Sequence, residues 1–501
     1  MVICMNEVYV KDLIKLCNAE LICGYENEVL DNFTKDTREV KEGYTFVGFI
    51  GENVDGNVFY EEALDNGAKV CILRKESVKD KIDVKALEEK YKDRTVILVE
   101  DTTKAIQQLA SYKRSLYNIP VVGVTGSVGK TSTKDIIASV MAKKYNVLKT
   151  LGNYNSQIGL PFTVLRLKDN DAMVAEMGMN GLGEISKLAQ IARPSIAVIT
   201  NVGTAHIGVL GSRENILKAK LEILDGLEPN GTLVINNDND MLHEWYEHAN
   251  VERTTEKELS IPSTEENIEK VENGQETDRA QNYNIVTFGI NDKSDFMPYD
   301  ITFSDNGSRY KINVDGKEYN VNISVGGEHF VLNSLCAIAV GRLLNIDMED
   351  ILAGIANFEL TKRRMQVEKN KQGVTIINDA YNANLDSMKA AIDYLGKINA
   401  KNKIAVLGDM LELGEFSKEL HERVGEEVQE NKIDILITVG DCARDIARKA
   451  QECGMDKEKI YICNSNDEAI ELLKKLAKEG DAVLLKASNG MNFEQIFQKI
   501  V

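Results

Sequence analysis

The chemistry most visible in this sequence is a glycine-rich turn that follows an apolar segment and precedes a lysine and a threonine. Residues 119–134 read Ile-Pro-Val-Val-Gly-Val-Thr-Gly-Ser-Val-Gly-Lys-Thr-Ser-Thr-Lys. Such a turn directs backbone N–H groups into an open cup, and the helix after it adds the positive end of its dipole. Phosphate suits this geometry, because Lys130 can reach the terminal phosphates and the Thr131 hydroxyl can hold Mg²⁺. The sequence therefore predicts an ATP site formed by Gly126, Ser127, Val128, Gly129, Lys130, Thr131 and Ser132.

The turn departs from the common pattern G-x-x-x-x-G-K-[ST] at its first glycine. Val124 stands at that position, and Gly123 lies one place early. The alternative interpretation is an ordinary glycine turn before a helix. The strand before the turn, the helix after it and the Gly-Lys-Thr core favour phosphate binding over that alternative.

The elements that must position this turn alternate regularly from residue 120 to about 235. Short apolar runs predict strands, and the segments between them predict helices. This alternation is typical of a mostly parallel sheet covered on both faces, in which ligands bind at the carboxyl ends of the strands. The predicted strands are 120–124, 171–176, 195–200 and 232–236, and the predicted helices are 131–143, 183–192 and 213–226.

Two polar side chains follow strand ends and are expected to lie near the turn. Glu176 ends an apolar strand, where its carboxylate can hold a metal ion beside the phosphates. His206 closes the segment Thr-Asn-Val-Gly-Thr-Ala-His after the next strand. A surface glutamate in a loop and a packed or solvated histidine are the alternative interpretations of these two residues.

Two helices carry further candidates. Lys218, Lys220 and Glu222 share one helix, and a solvated polar face is the ordinary interpretation. A lysine with an uncharged amine near Mg²⁺ can instead add CO₂ and become a carbamate, which is a negative metal ligand; the residues alone leave both open. His329 and Asn333 lie four residues apart on one helix face, where they can border a ring such as adenine or simply begin a helix.

The predicted fold class is α/β with three domains. A small mixed α/β domain spans 1–100, with strands at 45–50, 68–73 and 96–99, and a helix over 101–116 leads into a central P-loop ATPase-like domain, 101–361. Residues 252–284, rich in Glu, Asn, Thr and Lys, predict a solvated insertion. From 362 to 501 a second alternating series predicts a Rossmann-like doubly wound domain without a P-loop, with strands at 374–378, 403–407, 434–439, 459–462 and 481–487 and helices at 384–397, 416–430, 441–452 and 466–478.

The composition argues against several classes of protein. With 60 basic and 79 acidic residues the net charge is −19, which disfavours nonspecific nucleic-acid binding and attachment to an acidic membrane surface. No apolar stretch approaches the length of a membrane span, and no basic segment with an apolar run opens the chain. The eight cysteines are scattered without a C-x-x-C pair, as expected in a reducing compartment. We therefore expect a cytoplasmic protein without membrane insertion and without nucleic-acid partners.

Strings along nearly the whole chain, apart from 252–284, resemble the Mur ligase family of bacterial peptidoglycan synthesis. The last two of them resemble in particular the branch that adds D-alanyl-D-alanine. The strings are Lys-Asp-Thr-Arg (35–38), Gly-Glu-Asn-Val-Asp-Gly (51–56), the P-loop (125–134), Asn-Tyr-Asn-Ser-Gln-Ile-Gly-Leu-Pro (153–161), Glu-Met-Gly (176–178), Thr-Asn-Val-Gly-Thr-Ala-His (200–206), Gly-Glu-His-Phe-Val-Leu-Asn (327–333), Asn-Asp-Ala-Tyr-Asn-Ala-Asn (378–384) and Leu-Gly-Asp-Met-Leu-Glu-Leu-Gly (407–414).

This resemblance implies an ATP-dependent amide ligase that adds D-alanyl-D-alanine to UDP-N-acetylmuramoyl-tripeptide through an acyl phosphate. Residues 1–100 would then bind the UDP end of the substrate. The implied cofactors are ATP, two Mg²⁺ ions and a carbamylated lysine, and the implied state is a monomer. The sequence does not say whether the third residue of the peptide is lysine or diaminopimelate.

Roles for single residues follow from the same resemblance. Lys130, Lys220 and His206 would be catalytic. His329 and Asn333 would border the adenine, and Arg364 and Asp379 would close on the nucleotide from the last domain. The implied metal ligands are Thr131, Glu176, Lys220 and His206, and the implied substrate-binding residues are Asp36, Thr37, Arg38, Asn153, Asn155, Asn382, Ala383 and Asn384.

Three positions depart from the family pattern. Leu385 replaces the proline that usually follows Asn-Ala-Asn, and Asn489 stands where the family commonly has arginine. The sequence before Arg364 reads Thr-Lys-Arg, so the choice of Arg364 over Arg363 is a hypothesis. Two rival functions stay open: a sibling ligase that adds another amine, and a P-loop ATPase that regulates a protein partner.

Overall fold

The structure of the protein is a computed structural model that describes residues 6–248, 283–291, 293–304 and 307–501. The insertion predicted at 252–284 lies outside these residues except for its last two. Asn284, its last residue, already begins a strand of the central sheet, Asn284–Phe288. The insertion was therefore predicted one residue too long at its C-terminal end.

The N-terminal sheet of the described chain contains parallel strands and one antiparallel edge strand. Its order is Glu20–Cys23, Thr95–Val99, Val70–Arg74, Thr45–Val47 and Phe33–Thr34, and only the first strand is antiparallel to its neighbour. The strands predicted at 45–50, 68–73 and 96–99 are confirmed with shifted ends. The helices of this region are Val10–Cys17, Tyr60–Asp65, Lys75–Val78 and Val84–Lys90.

The helix Thr102–Ser115 connects this region to the central sheet. It begins after Asp101, whose side chain accepts hydrogen bonds from the backbone N–H groups of Thr103 and Lys104. Near its end the buried Lys113 and Arg114 donate to the carbonyl oxygens of Leu165 and Ala192, each at 2.7 Å. These bonds join the connector to the ends of the helices Gly159–Leu165 and Glu184–Ala192, and they satisfy two cations whose burial would otherwise be costly.

The central sheet is parallel throughout its described strands. Its order is Asn284–Phe288, Thr232–Asn236, Ile196–Ile199, Val121–Thr125, Ala172–Glu176 and Val147–Lys149. In this register Val124 pairs with Glu176 on one side and Val198 on the other, so the strand ends that precede the P-loop, Met177 and Thr200 lie side by side. The covering helices are Lys130–Met141, Gly159–Leu165, Glu184–Ala192, Ile207–Leu210, Arg213–Leu221 and Asp240–His248.

A three-stranded antiparallel sheet, which the sequence did not predict, follows the central strands. Its strands are Pro298–Ser304, Gly307–Val314 and Lys317–Ile323. The helix Glu328–Leu343 comes next and packs against the P-loop helix, and the helix Met348–Ala356 packs beside it. This packing brings His329 and Asn333 close to the glycine-rich turn.

The C-terminal sheet is parallel except for one edge strand. Its order is Gln366–Lys369, Thr375–Asn378, Ala482–Lys486, Lys403–Gly408, Ile435–Val439 and Ile460–Cys463. The antiparallel edge strand Gln366–Lys369 was not predicted, whereas the other five strands are confirmed. The helices are Leu385–Lys397, Ser417–Glu430, Ala443–Glu452, Asn466–Leu476 and Glu494–Ile500. Among the helices described anywhere in the chain, none has both the length and the apolar character needed to cross a bilayer.

Candidate active site

The glycine-rich turn adopts a backbone that two of its glycines make possible. Gly126 has φ 148° and Gly129 has φ 81°, both in the region that side chains disfavour. A Cβ atom added to Gly126 would lie 2.0 Å from Thr200 Oγ1. The turn therefore packs directly against the end of the neighbouring strand, and Gly129 begins the helix Lys130–Met141.

The turn is not the fully open cup that the sequence predicts. Two of its backbone N–H groups, those of Ser127 and Val128, donate to the side-chain oxygen of Asn201 at 3.0 and 2.9 Å. Asn201 follows the adjacent strand, so its carboxamide occupies part of the expected anion cradle. The N–H groups of the first helical turn, after Gly129, still face the cleft as donors for a phosphate.

Lys130 folds back on its own turn. Its Nζ atom donates to the carbonyl oxygen of Gly126 at 2.6 Å and to that of Ser127 at 3.4 Å. Burial lowers the pKa of Lys130 to about 8, against the opposing effect of the Glu176 carboxylate. A phosphate group placed before the helix would offer this ammonium a charged acceptor in place of two neutral carbonyls.

Glu176 lies buried at the end of its strand, beside the turn. Its Oε1 accepts a hydrogen bond from Asn155 Nδ2 at 2.8 Å, and its Oε2 lies 3.8 Å from the buried Lys134 Nζ. Oε2 has no hydrogen-bond partner within the described residues. A buried carboxylate oxygen without a donor is the kind of group that a metal ion satisfies, so the surface-loop interpretation of Glu176 is wrong.

His206 is partly buried and lies where the central region of the chain meets the C-terminal region. Its φ of 64° is unusual for a side chain of this size. Burial, and after it the charges of Lys130 and Lys220, lower the pKa of His206 to about 4. Its Nδ1 lies 3.2 Å from Glu412 Oε2 but has no hydrogen-bond partner among the described side chains. The lowered pKa favours the neutral ring, whose free nitrogen lone pair can bind a metal ion.

Lys220 is buried, in contrast to Lys218 on the same helix, which is exposed. Burial lowers the pKa of Lys220 well below its usual range, and the charge of Lys130 lowers it further. The polar-face interpretation is thus wrong for Lys220. Glu222 has a structural role, because its two oxygens accept the backbone N–H groups of Gly183 and Ser186 at 2.6 and 3.3 Å.

A cleft that opens to solvent lies between the P-loop helix and the C-terminal sheet. Eight of the eleven predicted ATP-binding residues line it: Val128, Gly129, Thr131, Ser132, His329, Asn333, Arg364 and Asp379. Asn333 also accepts a hydrogen bond from Thr133 Oγ1 at 3.0 Å, which joins its helix to the P-loop helix. The shared helix face of His329 and Asn333 is therefore confirmed as a wall of this cleft.

Arg364 extends into the cleft from the segment that leads to the C-terminal sheet. Its guanidinium lies 4.1 Å from the centre of the Tyr381 ring, and its Nη2 donates to Thr131 Oγ1 at 3.4 Å. Its Nε is buried without a hydrogen-bond partner among the described residues. Arg363 lies farther from the Tyr381 ring, at 5.4 Å from its centre, and donates to Asn489 Oδ1 at 3.3 Å. The geometry thus favours Arg364 over Arg363 as the arginine that meets a nucleotide.

Asp379 forms a buried ion pair with Lys486, whose strand lies next to its own. Its other oxygen accepts the backbone N–H of Met365 at 3.1 Å. Lys486 also donates to the carbonyl oxygen of Asn382 at 3.3 Å. This lysine lines the cleft and was not predicted as a site residue; its position at the end of a central apolar strand was the available signal.

The predicted substrate residues are scattered. Asp36 and Arg38 form an exposed ion pair with each other, and Thr37 Oγ1 donates to Glu62 at 3.0 Å. Asn153 is exposed, whereas Asn155 holds Glu176 as described above. None of these residues lines the cleft.

The segment Asn382–Asn384 leads into the helix Leu385–Lys397. Asn384 caps this helix, since its Oδ1 accepts the backbone N–H of Ser387 at 2.9 Å. Its side chain is thereby committed to the fold, a role that the sequence did not assign. Leu385 occupies the first helical position, where proline is also tolerated, and its side chain is buried.

The helix Leu385–Lys397 also contacts the segment that follows the central strand Ile196–Ile199. Asp386 Oδ2 accepts the backbone N–H of Thr204 at 3.0 Å and its hydroxyl at 3.3 Å. The preceding residue, Gly203, donates its N–H to Ser127 Oγ at 2.9 Å. The P-loop, the segment 200–206 and the helix Leu385–Lys397 therefore form one continuous hydrogen-bonded edge.

The sequence matches three family descriptions in succession. They are "Mur ligase family, catalytic domain" at residues 31–114, "Mur ligase middle domain" at 124–279 and 267–341, and "Mur ligase, glutamate ligase domain" at 363–489. These matches cover well over half of the chain. This chain belongs to the Mur ligase family.

Individual relatives are similar over nearly the full length. The UDP-N-acetylmuramoyl-tripeptide–D-alanyl-D-alanine ligase of Bacillus subtilis strain 168 is 35% identical over 491 residues, 96% of this chain and 97% of the relative. The crystal structure of MurF from Acinetobacter baumannii has a TM-score of 0.80 and 26% identity, and covers 99% of this chain and 98% of that one. MurF from Thermotoga maritima in complex with ADP has a TM-score of 0.74 and 28% identity, with 94% and 97% covered. The α/β fold class predicted from the sequence is confirmed by these structures.

Proposed function

We propose that this protein is an ATP-dependent ligase that joins D-alanyl-D-alanine to UDP-N-acetylmuramoyl-tripeptide in peptidoglycan synthesis. The observation that carries the proposal is the cleft in which the P-loop helix faces Arg364, Asp379 and Lys486. Full-length similarity to ligases of this specificity supports the choice of substrates. The domain boundaries that we propose are 1–100, 101–361 and 362–501.

The reaction has two steps. A substrate carboxylate oxygen attacks the γ-phosphorus of ATP, the bond to the β-phosphate oxygen breaks, and an acyl phosphate and ADP result. The amine of D-alanyl-D-alanine then attacks the acyl carbon, loses a proton and displaces phosphate, which leaves an amide. Because two anions must meet in the first step, the protein's main task is to align them and neutralise charge.

The residues of the cleft suit this task. The first-turn N–H groups of the P-loop helix and the ammonium of Lys130 would hold the phosphates from one side. The guanidinium of Arg364 would approach them from the other side, since it already contacts Thr131 of the same helix turn. His329 and Asn333 would border the adenine. The residues that would lie beside the dipeptide are Asn382, Ala383 and Asn384. Those that would hold the UDP-peptide are Asp36, Thr37, Arg38, Asn153 and Asn155.

A divalent metal ion fits the residues of this edge. Among the described residues no three His, Cys, Asp or Glu side chains form a cluster that could hold a metal alone. Glu176 and His206 nevertheless each keep a buried, unpartnered atom, and Thr131 offers a hydroxyl. Such a set matches Mg²⁺, which usually takes one or two protein ligands together with phosphate oxygens and water. When bound, Mg²⁺ would offset the phosphate charge; a carbamate on Lys220 would be a further anionic ligand.

A coupled assay of phosphate release tests the proposed function. With the UDP-tripeptide fixed and the amine varied, we expect release only with ATP and D-alanyl-D-alanine together. Release with a single amino acid instead would identify a sibling ligase. ATP hydrolysis independent of both substrates would identify a regulatory ATPase. Cytoplasmic location and the monomeric state stay predictions from the sequence.

The contact between Asp386 and Thr204 gives one prediction. A Cβ atom on Gly203 would lie 2.1 Å from Asp386 Oδ2, so Gly203→Ala must displace this carboxylate. We expect kcat for phosphate release to fall by about tenfold, as for the loss of a hydrogen bond to a charged group. In an Asp386→Ala background the same change should have little further effect.

Gly181→Ala is the matched control, because nothing lies within 4 Å of a Cβ atom at that glycine. Unchanged kcat in Gly203→Ala would show that the contact has no part in turnover.

A further inference from the structure

We propose that Asp135 and Thr361 are positioning residues, whose contact fixes the start of the C-terminal linker so that Arg364 reaches the P-loop helix. The inference rests on the proposed function, in which Arg364 contacts the bound nucleotide. Neither Asp135 nor Thr361 lines the cleft. Their effect on the reaction would therefore pass through the linker.

Asp135 lies on the P-loop helix, one turn after Thr131, and residues four apart share a helix face. It is buried, and its Oδ2 accepts both the hydroxyl of Thr361 at 2.7 Å and its backbone N–H at 3.1 Å. Two bonds from one residue to one carboxylate oxygen fix both the position and the orientation of the chain at Thr361. The linker to the C-terminal sheet thus begins at a defined point on the P-loop helix.

Three residues further on, Arg364 returns to the same helix face through its bond with Thr131 Oγ1. The linker between these two contacts is tightly bent, since Arg363 and Met365 both have positive φ values, 64° and 44°. On its other side, the N–H of Met365 is held by Asp379. A linker fixed at both ends and bent in this way leaves Arg364 few alternative positions.

The charge on Asp135 is supported from the side opposite to Thr361. Its Oδ1 lies 2.8 Å from Lys149 Nζ and 3.4 Å from Lys134 Nζ. Lys134 also donates to the carbonyl oxygen of Thr150 at 2.9 Å and lies near Glu176. Buried charges persist only when they are paired and hydrogen-bonded. The same network therefore connects the linker with the carboxylate that we propose for the metal ion.

A double-mutant cycle separates positioning from simple stabilisation. Thr361→Val keeps the shape of the side chain and removes its hydroxyl. We expect this change to lower kcat about tenfold, the usual effect of losing a hydrogen bond to a charged acceptor. In an Arg364→Ala background we expect less than about a twofold further decrease, because the arginine that the contact positions is already gone.

Calorimetric titration with ADP gives a second readout that does not need the ligase reaction. We expect the effects of Thr361→Val and Arg364→Ala on ADP affinity to be equally non-additive. Ser139→Ala is the control, because Ser139 lies one turn further along the same helix and donates to Gly354, away from the linker. It should leave kcat and ADP affinity unchanged in both backgrounds.

Equal effects of Thr361→Val with and without Arg364 would overturn the inference, and so would wild-type behaviour of the single variant. An absence of substrate-dependent phosphate release in the unmodified protein would instead contradict the proposed function. The ADP titrations would still decide the role of Thr361 in that case.

Discussion

Replacement of Lys130 by alanine is expected to lower kcat for phosphate release by about 100- to 1,000-fold, the range found when one electrostatic donor is removed from a reacting centre. Lys130 is a cation in the turn itself, and its present acceptors are only two backbone carbonyls. Its loss leaves the charge that develops on the transferred phosphoryl group without a nearby ammonium. Thermal unfolding should change little, because the buried Glu176 keeps Asn155 and Lys134 as neighbours when Lys130 is removed. Steady-state phosphate release and a melting curve check both expectations.

Lys143→Ala is a matched control, since this lysine is exposed just beyond the end of the same helix. The pH dependence of ATP affinity gives a second test. Bound phosphate raises the pKa of Lys130 from about 8, so ATP binding takes up a proton at higher pH and affinity falls as the pH rises above 8. This decline should vanish in Lys130→Ala. Near-normal turnover in that variant would remove the P-loop lysine from the mechanism.

The sequence was sufficient to predict the elements whose patterns are local. The alternation of apolar strands with helices located the central and C-terminal sheets, and the P-loop located the cleft. It failed for the antiparallel sheet of 298–323, for the edge strand Gln366–Lys369 and for both edge strands of the N-terminal and of the central sheet. Much of the stabilisation of such strands comes from partners that the local pattern does not contain.

The site was predicted less completely than the fold, because side-chain partners depend on the packing of distant segments. Asn201 accepts hydrogen bonds from two N–H groups of the turn only because two parallel strands end side by side. Lys486 reaches Asp379 across more than a hundred residues of sequence. The burial of Lys220 and the exposure of Lys218, two residues apart, are likewise set by which helix face packs against the neighbouring helices.

The second large effect on kcat is expected from replacing the buried lysine of this pair, Lys220. We expect Lys220→Ala to lower kcat by about 10- to 100-fold, the usual cost of losing a group beside a metal site. Burial and the charge of Lys130 lower the pKa of the Lys220 amine well below its usual range, which favours the uncharged form that can add CO₂. Lys218→Ala should keep normal turnover, because that side chain is exposed on the same helix.

Carbon-13 NMR in buffer equilibrated with ¹³CO₂ examines the modification directly. We expect one carbamate resonance in the unmodified protein and in Lys218→Ala, and none in Lys220→Ala. Depleting CO₂ should lower turnover of the unmodified protein but not the residual turnover of Lys220→Ala. If the resonance is absent while Lys220→Ala still loses activity, Lys220 acts as a free amine, and the anionic ligand that we propose for this edge must come from elsewhere.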